Sequence, residues 1–417
     1  MKKKITYREI PGNSPGYYII LALLGLLIAA GLGAALYMEH EGHHVTGMTN
    51  QIVWGIPHIF AVFLIVAASG ALNVASISSV FNIKLYKPLA PLSGLLAIAL
   101  LVGGLSILLL DLGRPDRLIV AMTYYNFKSI FAWNIFLYTG FIAIVVVYLW
   151  MLLEQRFNRF TRPAGMVAFV WRLILTTGTG SIFGFLVARQ AYDAAIMAPT
   201  FIVMSFSFGL AIFNLVLIGT YRGTQRALGS TLVERLRKLQ GVFVAAVLFF
   251  VIIYHLTNLY ATENHGVEHF FLDGDNIYTG LFWLGFVLIG SILPLAICLL
   301  DSFKQSNAWL VTASVMIIAG GLSQMYIIII GGQAFPMVLF PEYDVSSSFF
   351  DGAVATYSPS IYEIGLGLGG TAFAIAIVLI GIKILRFLPL SLENALVDPH
   401  HIDIANEKEP AIGQAVK

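Results

Sequence analysis

The chain has 417 residues, 58% of them hydrophobic and only 11% charged, with a formal net charge of +2. With a mean hydropathy of +0.85, this composition excludes a soluble globular protein. A single cysteine, Cys298, excludes a disulfide framework, a cysteine-ligated iron–sulfur cluster and a cysteine zinc site, so any electrons handled here come from partner proteins or a diffusible carrier.

In chain order, residues 1–16 form a polar N-terminal segment beginning Met-Lys-Lys-Lys. The apolar run at 17–37 is too long for the core of a secretory signal and reads as a retained membrane helix. Further runs of spanning length fall near 52–80, 89–110, 128–153, 164–188, 199–221, 238–260, 277–299, 308–331 and 359–387, which predicts ten transmembrane helices. These runs are continuous rather than alternating, which argues against a β-barrel. The predicted fold is an all-α integral membrane domain at 17–387. It contains two four-helix bundles (52–188 and 199–331) with single flanking helices, followed by a polar tail at 388–417. With the N-terminus inside, 19 of the 24 Lys and Arg residues fall on the cytoplasmic side, which predicts N-in and C-in topology. Arg114, Arg117, Lys128 and Arg189 break that bias, and basic residues on the outer side usually serve a local purpose. The acidic, aromatic outer loops 261–276 and 332–358 are candidate docking surfaces for an extracytoplasmic partner.

Polar groups within and beside the spans mark candidate chemistry. His40, His43 and His44, with Glu39 and Glu41, have the composition of a metal site, but loop solvation is the expected reading. The second span carries His58 near the outer surface. Deeper lie Ser69, Asn73 and Ser76 at helical spacing, either lining a wet path or allowing close helix packing. At 108–117, Leu-Leu-Leu-Asp-Leu-Gly-Arg-Pro-Asp-Arg sets four charges on a rigid turn at the end of an apolar run. It reads as a polar pocket or, more blandly, as an interfacial turn pairing its own charges. Arg172, about two turns into the fifth span, either snorkels to headgroups or faces inward on a proton half-channel.

Near the outer surface His58, Asp111, Arg114, Tyr124, Tyr125, Asn134, Arg189, Tyr192 and Asp193 converge from the second to fifth spans. A quinone needs an apolar slot, donors facing its carbonyls and an ionisable group to exchange the proton, and this set supplies them. A thinner group, His255, Asn258, Gln324 and Glu363, is expected to make ordinary interhelical hydrogen bonds. A haem would need paired histidines at matching depth. Only His58 and His255 approach that, so haem is not expected.

Trp54-Gly55-x-x-His58 opening the second helix, Leu-Leu-Asp111-Leu-Gly-Arg-Pro115 closing the third and Ser129-x-x-Ala-Trp133-Asn134 opening the fourth resemble the NrfD/polysulfide reductase C (PsrC) family of membrane quinone-interacting subunits. The resemblance covers residues 50–390. The ten-helix count and the start Tyr7-Arg-Glu-Ile-Pro-Gly-Asn-Ser14 are most similar to the DsrP branch, part of the DsrMKJOP complex of sulfur-metabolising prokaryotes. The resemblance implies a multi-pass subunit of the prokaryotic cytoplasmic (inner) membrane with no haem or iron–sulfur cluster of its own. It would bind menaquinone or ubiquinone as substrate near the outer surface. Electrons would pass to or from an extracytoplasmic ferredoxin-like iron–sulfur subunit, beside further membrane and cytochrome subunits and membrane lipid. No nucleic-acid partner is expected.

On this resemblance His58, Asp111, Arg114, Tyr124, Tyr125 and Asn134 surround the quinone headgroup, and Asn73, Arg172 and Asp193 belong to a proton path. His58 would be the proton partner of a carbonyl and Asp111 its orienter or acceptor. Arg114 would fix the turn and stabilise charge on the reduced ring. Related sequences often carry an acid where Asn134 stands, so Asp111 or Asp193 would have to supply protonation. The rival readings are a secondary transporter using the same intramembrane polar groups and a purely structural anchor.

Overall fold

The computed structural model describes residues 5–304, 306–337 and 352–398. Expectations for the N-terminal lysines, the middle of the 332–358 loop and the end of the polar tail lie outside the described residues. Ten helices are long and apolar enough to cross a membrane: α1 (Pro15–Glu41), α2 (Ile56–Ser79), α3 (Lys84–Leu110), α4 (Ile130–Leu153), α5 (Gln155–Gly184), α6 (Met197–Gly223), α7 (Ser230–Tyr260), α8 (Ile277–Leu299), α9 (Asn307–Ala334) and α10 (Ile361–Ile384). Each coincides with a predicted run, and the described residues contain isolated β-bridges but no strand. The protein is an all-α, multi-pass membrane protein.

Helix starts follow local chemistry. Ser14 precedes Pro15 and accepts from the Tyr17 amide, capping α1. Ser360 and Glu363 close a reciprocal capping box on α10. Helices α2, α3, α4 and α5 pack in a ring, as do α6, α7, α8 and α9; α10 lies on α2 and α3, and α1 rests on α10. Helix α2 is the axis, 94% buried in its apolar window against 22% for α1. It meets α6 at Gly70 and Gly209, where a methyl on either residue would collide with the opposing backbone.

The long second span is broken at Leu72. Ser93 of α3 donates to the carbonyl of Ala71 at 2.6 Å and accepts from the amide of Ala75 at 3.1 Å. The hydroxyl thus takes the place of one rung of the helical ladder, a recognised cause of a kink. Sequence alone reads a continuous helix because the intruding group comes from another helix.

The first and last described segments lie at one end. The amide of Arg8 bonds the Leu388 carbonyl at 2.9 Å and that of Ile10 bonds Ile382 at 3.1 Å. Arg226 ties the same straps together through the carbonyls of Arg8, Glu9, Leu388 and Pro389. The opposite, far end carries the functional groups described next.

Candidate functional site at the far end of the first bundle

Helix α2 opens on Gly55-Ile56-Pro57-His58, with Pro57 in the first turn where its missing amide costs nothing. Helix α3 ends in Asp111, whose amide closes the last turn on Ile107. The backbone then reverses through Gly113 at φ +69°, where a Cβ would sit 2.9 Å from the His43 ring. Both the left-handed backbone and the ring demand glycine. This turn brings three groups together. His58 Nδ1 lies 3.1 Å from Asp111 Oδ2, and His43 Nε2 lies 3.1 Å from the Asp111 carbonyl and 3.9 Å from its Oδ1.

The Asp111 side chain is 1% exposed, against 22% for His58 and 30% for His43. The helix carbonyls at the end of α3 surround this carboxyl group, and the two imidazoles are the ionisable groups that face it. Neither carboxylate oxygen, nor His58 Nδ1, has an aligned hydrogen bond despite the short separation. The arrangement is close but unsaturated, and the partly exposed rings connect the buried acid to the surface. Trp54 lies 6.2 Å from the His58 ring at an interplanar angle of 28° and also packs on Phe131, Phe183 and Tyr192. Trp54 thereby gives the site an aromatic wall.

The segment entering α2 is held from three sides. Gln333 accepts from the amides of Val53 and Trp54 at 2.9 and 3.0 Å and donates to the Trp54 carbonyl at 3.0 Å. Arg189 donates to the carbonyls of Gln333 and Gln51 at 2.7 and 2.8 Å. Tyr357 accepts from the Ile56 amide and donates to Glu363, which also accepts from the Gly47 amide, at 2.7, 2.7 and 2.8 Å. Burial lowers the Arg189 pKa and raises those of Tyr192 and Tyr357, the last raised further by Glu363. Arg189 at the far end is thus a backbone clamp.

The remaining sequence candidates scatter. Arg114 turns to Asp116 at 3.1 Å with its side chain 62% exposed. That pair raises the pKa of Arg114 and lowers that of Asp116. Tyr124 is 83% exposed and Tyr125 stacks on Phe136. Asn134 is buried and donates to the carbonyls of Ile130 and Gly178, tying α4 to α5. Arg172 faces inward rather than snorkelling: it is buried, donates to the Ser69 carbonyl at 3.3 Å and lies over the rings of Phe169 and Phe206. Asn73 is buried near it on the α2 break, whereas Asp193 is exposed in the far-end loop. The structure therefore brings His58 to Asp111 and leaves Arg114 and Tyr124 on the surface.

Two partners escape the sequence reading. Composition groups His43 with its neighbouring histidines, and Trp54 stands out only within a motif. In the second bundle His255 and Asn258 bind Glu268, on the short helix His265–Leu272, at 2.6 and 2.8 Å. Glu363, grouped with them by sequence, sits at the first bundle's clamp. Gln324 instead lines a cavity of about 30 Å³ beside His255.

A model of the NrfD polysulphide reductase family matches residues 44–337. An Hdr-like menaquinol oxidoreductase integral membrane subunit of Archaeoglobus fulgidus is 28% identical, covering 92% of this protein and 97% of the relative. The C subunit of the polysulfide reductase of Wolinella succinogenes is 24% identical over 69% of this protein and 96% of its own length. The integral membrane subunit of a menaquinone reductase from Nitratidesulfovibrio vulgaris is 20% identical over 89% and 92%. The protein belongs to the NrfD polysulphide reductase family.

Proposed function

We propose that this family member is the quinone-interacting membrane subunit of a respiratory oxidoreductase complex in a prokaryotic cytoplasmic membrane. It would exchange electrons between menaquinone or ubiquinone and an extracytoplasmic iron–sulfur partner. The observation that carries the reading is the buried Asp111 held between His58 and His43 beside the Trp54 wall. Relatives named as menaquinol- and menaquinone-linked subunits support it, and the start of the sequence favours the DsrP branch and sulfur metabolism.

A bound quinone supplies two-electron, two-proton chemistry at its carbonyl oxygens. The residues here fit such a headgroup. His58 faces Asp111 through Nδ1 and keeps Nε2 for a carbonyl. Asp111 orients that ring and takes up the proton it passes on, and His43 relays the proton to the far-end surface. Trp54 covers a ring face and excludes water. Gln333, Arg189 and Tyr357 hold the α2 entrance so that His58 keeps its position. Asn73, Arg172 and Asp193 belong to any proton path across the membrane; each proton crossing it is worth about 2.3 kcal/mol per 100 mV.

The test is quinone content and affinity of the detergent-purified complex. Asp111→Asn and His58→Ala should each weaken quinone binding at least about tenfold, or ~1.4 kcal/mol, with assembly unchanged. Unchanged binding in both variants overturns the assignment.

A further inference from the structure

At the terminal end, away from the His58 site, a cleft of about 830 Å³ opens between α1, α10, α3 and α6. Its walls are apolar, with Leu96, Leu100, Val216, Val378, Leu379 and Ile382 facing in. Three glycines, Gly16, Gly219 and Gly223, also line it, and a methyl group on any of them would meet nothing within 4 Å. Close-packed membrane interiors leave no such room. Here α1 leans chiefly on α10, and α6 turns its glycine face to the opening.

The cleft has a floor and a polar mouth. The strap from Ile10 to Ser14 closes it at the terminal end, bonded to α10 through the Ile10 amide. Asn13, Ser14, Thr224 and Gln225 ring the mouth, and the N-terminus of α1 opens there. Arg222, exposed between the lining residues Thr220 and Gly223, has no salt bridge among the described residues. Lys383 reaches the strap at the Gly12 carbonyl, 3.1 Å away. Glu9 on the strap is already paired with Arg386 at 3.3 Å. Among the described residues the mouth thus presents cations with no unpaired carboxylate to oppose them, above an apolar interior.

We propose that this cleft binds an anionic phospholipid, with acyl chain against the α3, α6 and α10 walls and phosphate at the mouth, where Arg222 and Lys383 supply the positive charge. The charge complementarity selects the occupant. Exposed cations beside an apolar cleft suit an anionic headgroup, and the Lys and Arg bias places this end at the anionic cytoplasmic leaflet. The proposal stands independently of the quinone reading, because it uses none of the same residues.

Native mass spectrometry of the purified full-length protein, exchanged with phosphatidylglycerol or phosphatidylcholine in detergent, tests it. The protein should retain phosphatidylglycerol preferentially. Arg222→Gln should lower that retention about fivefold, the contribution of one interfacial cation. Filling the cleft with Gly219→Phe and Gly223→Leu should abolish retention, while Gly25→Leu on α1, also in open space but outside the cleft, should leave it unchanged. Protection of buried Cys298 from maleimide verifies that each variant is folded. Equal retention of both lipids, retention that survives the filled cleft, or displacement of a quinone or partner peptide rather than phospholipid by the filling overturns the proposal.

Discussion

The two bundles each carry a histidine–carboxylate pair near the far end, and the pairs are finished differently. In the second bundle Glu268 is fully satisfied: Oε2 meets His255 Nδ1 at 2.6 Å and Oε1 accepts from Asn258 at 2.8 Å. In the first, Asp111 is as deeply buried, yet neither oxygen has an aligned donor. A saturated pair locks a loop to a helix. An unsaturated one keeps hydrogen-bonding capacity in reserve, and under the proposed function that capacity, beside the Trp54 wall, serves the quinone. On the proposed function one pair serves architecture and the other chemistry, though their residue types are nearly the same.

The largest effect that would break this contrast is on stability. Glu268→Ala strands His255 and Asn258 in the interior and should cost about 3–5 kcal/mol, read as earlier Cys298 labelling in a denaturant titration. Asp111→Asn should shift that titration little while weakening quinone binding at least about tenfold. A reversal of the two outcomes would mean the roles are exchanged. Next, Arg189→Ala frees the carbonyls of Gln51 and Gln333 and should cost about 1.5–3 kcal/mol, with quinone affinity falling because the α2 entrance loosens. Affinity that does not move would detach the clamp from the site.

Gly113→Ala is smaller. It forces a side chain into a left-handed turn against His43, at about 1–2 kcal/mol, and should slow proton exchange more than it weakens binding. The smallest effect is expected of Arg114→Ala. Its exposed partner Asp116 has a lowered pKa, so whatever the pair contributes is present above the ordinary carboxylate range and fades as pH falls through the folded value. No change in quinone affinity at neutral pH is expected, and a large loss would restore Arg114 to the site.

Hydropathy makes the ten spans legible, because a bilayer demands long apolar runs whatever they pack against. The His58–Asp111 pairing is legible too, since each residue stands at a helix end near the same surface. What cannot be read are contacts made by reversal of the backbone. Glu268 lies in a polar loop segment, and only the folding back of its short helix brings it under α7. His43 looks like one of three solvated histidines until the Gly113 turn places Asp111 against it. Glu363 and His255 share a depth but not a bundle, and one-dimensional depth cannot separate them. Arg114 and Tyr124 sit in the right stretch of sequence, yet their side chains point outward, a rotational fact that a non-helical turn does not encode.

The crossing of Gly70 and Gly209 bears on how the protein can work. Backbone lies on backbone there, at the junction between the bundles, with the stacked rings of Phe63 and Phe208 along the same seam. A carrier that alternates access by rocking one half against the other needs a yielding seam along that axis. Any rocking of one half against the other would have to part the Gly70–Gly209 contact first, so a larger residue at either position strikes at the junction of the halves before it reaches any polar group.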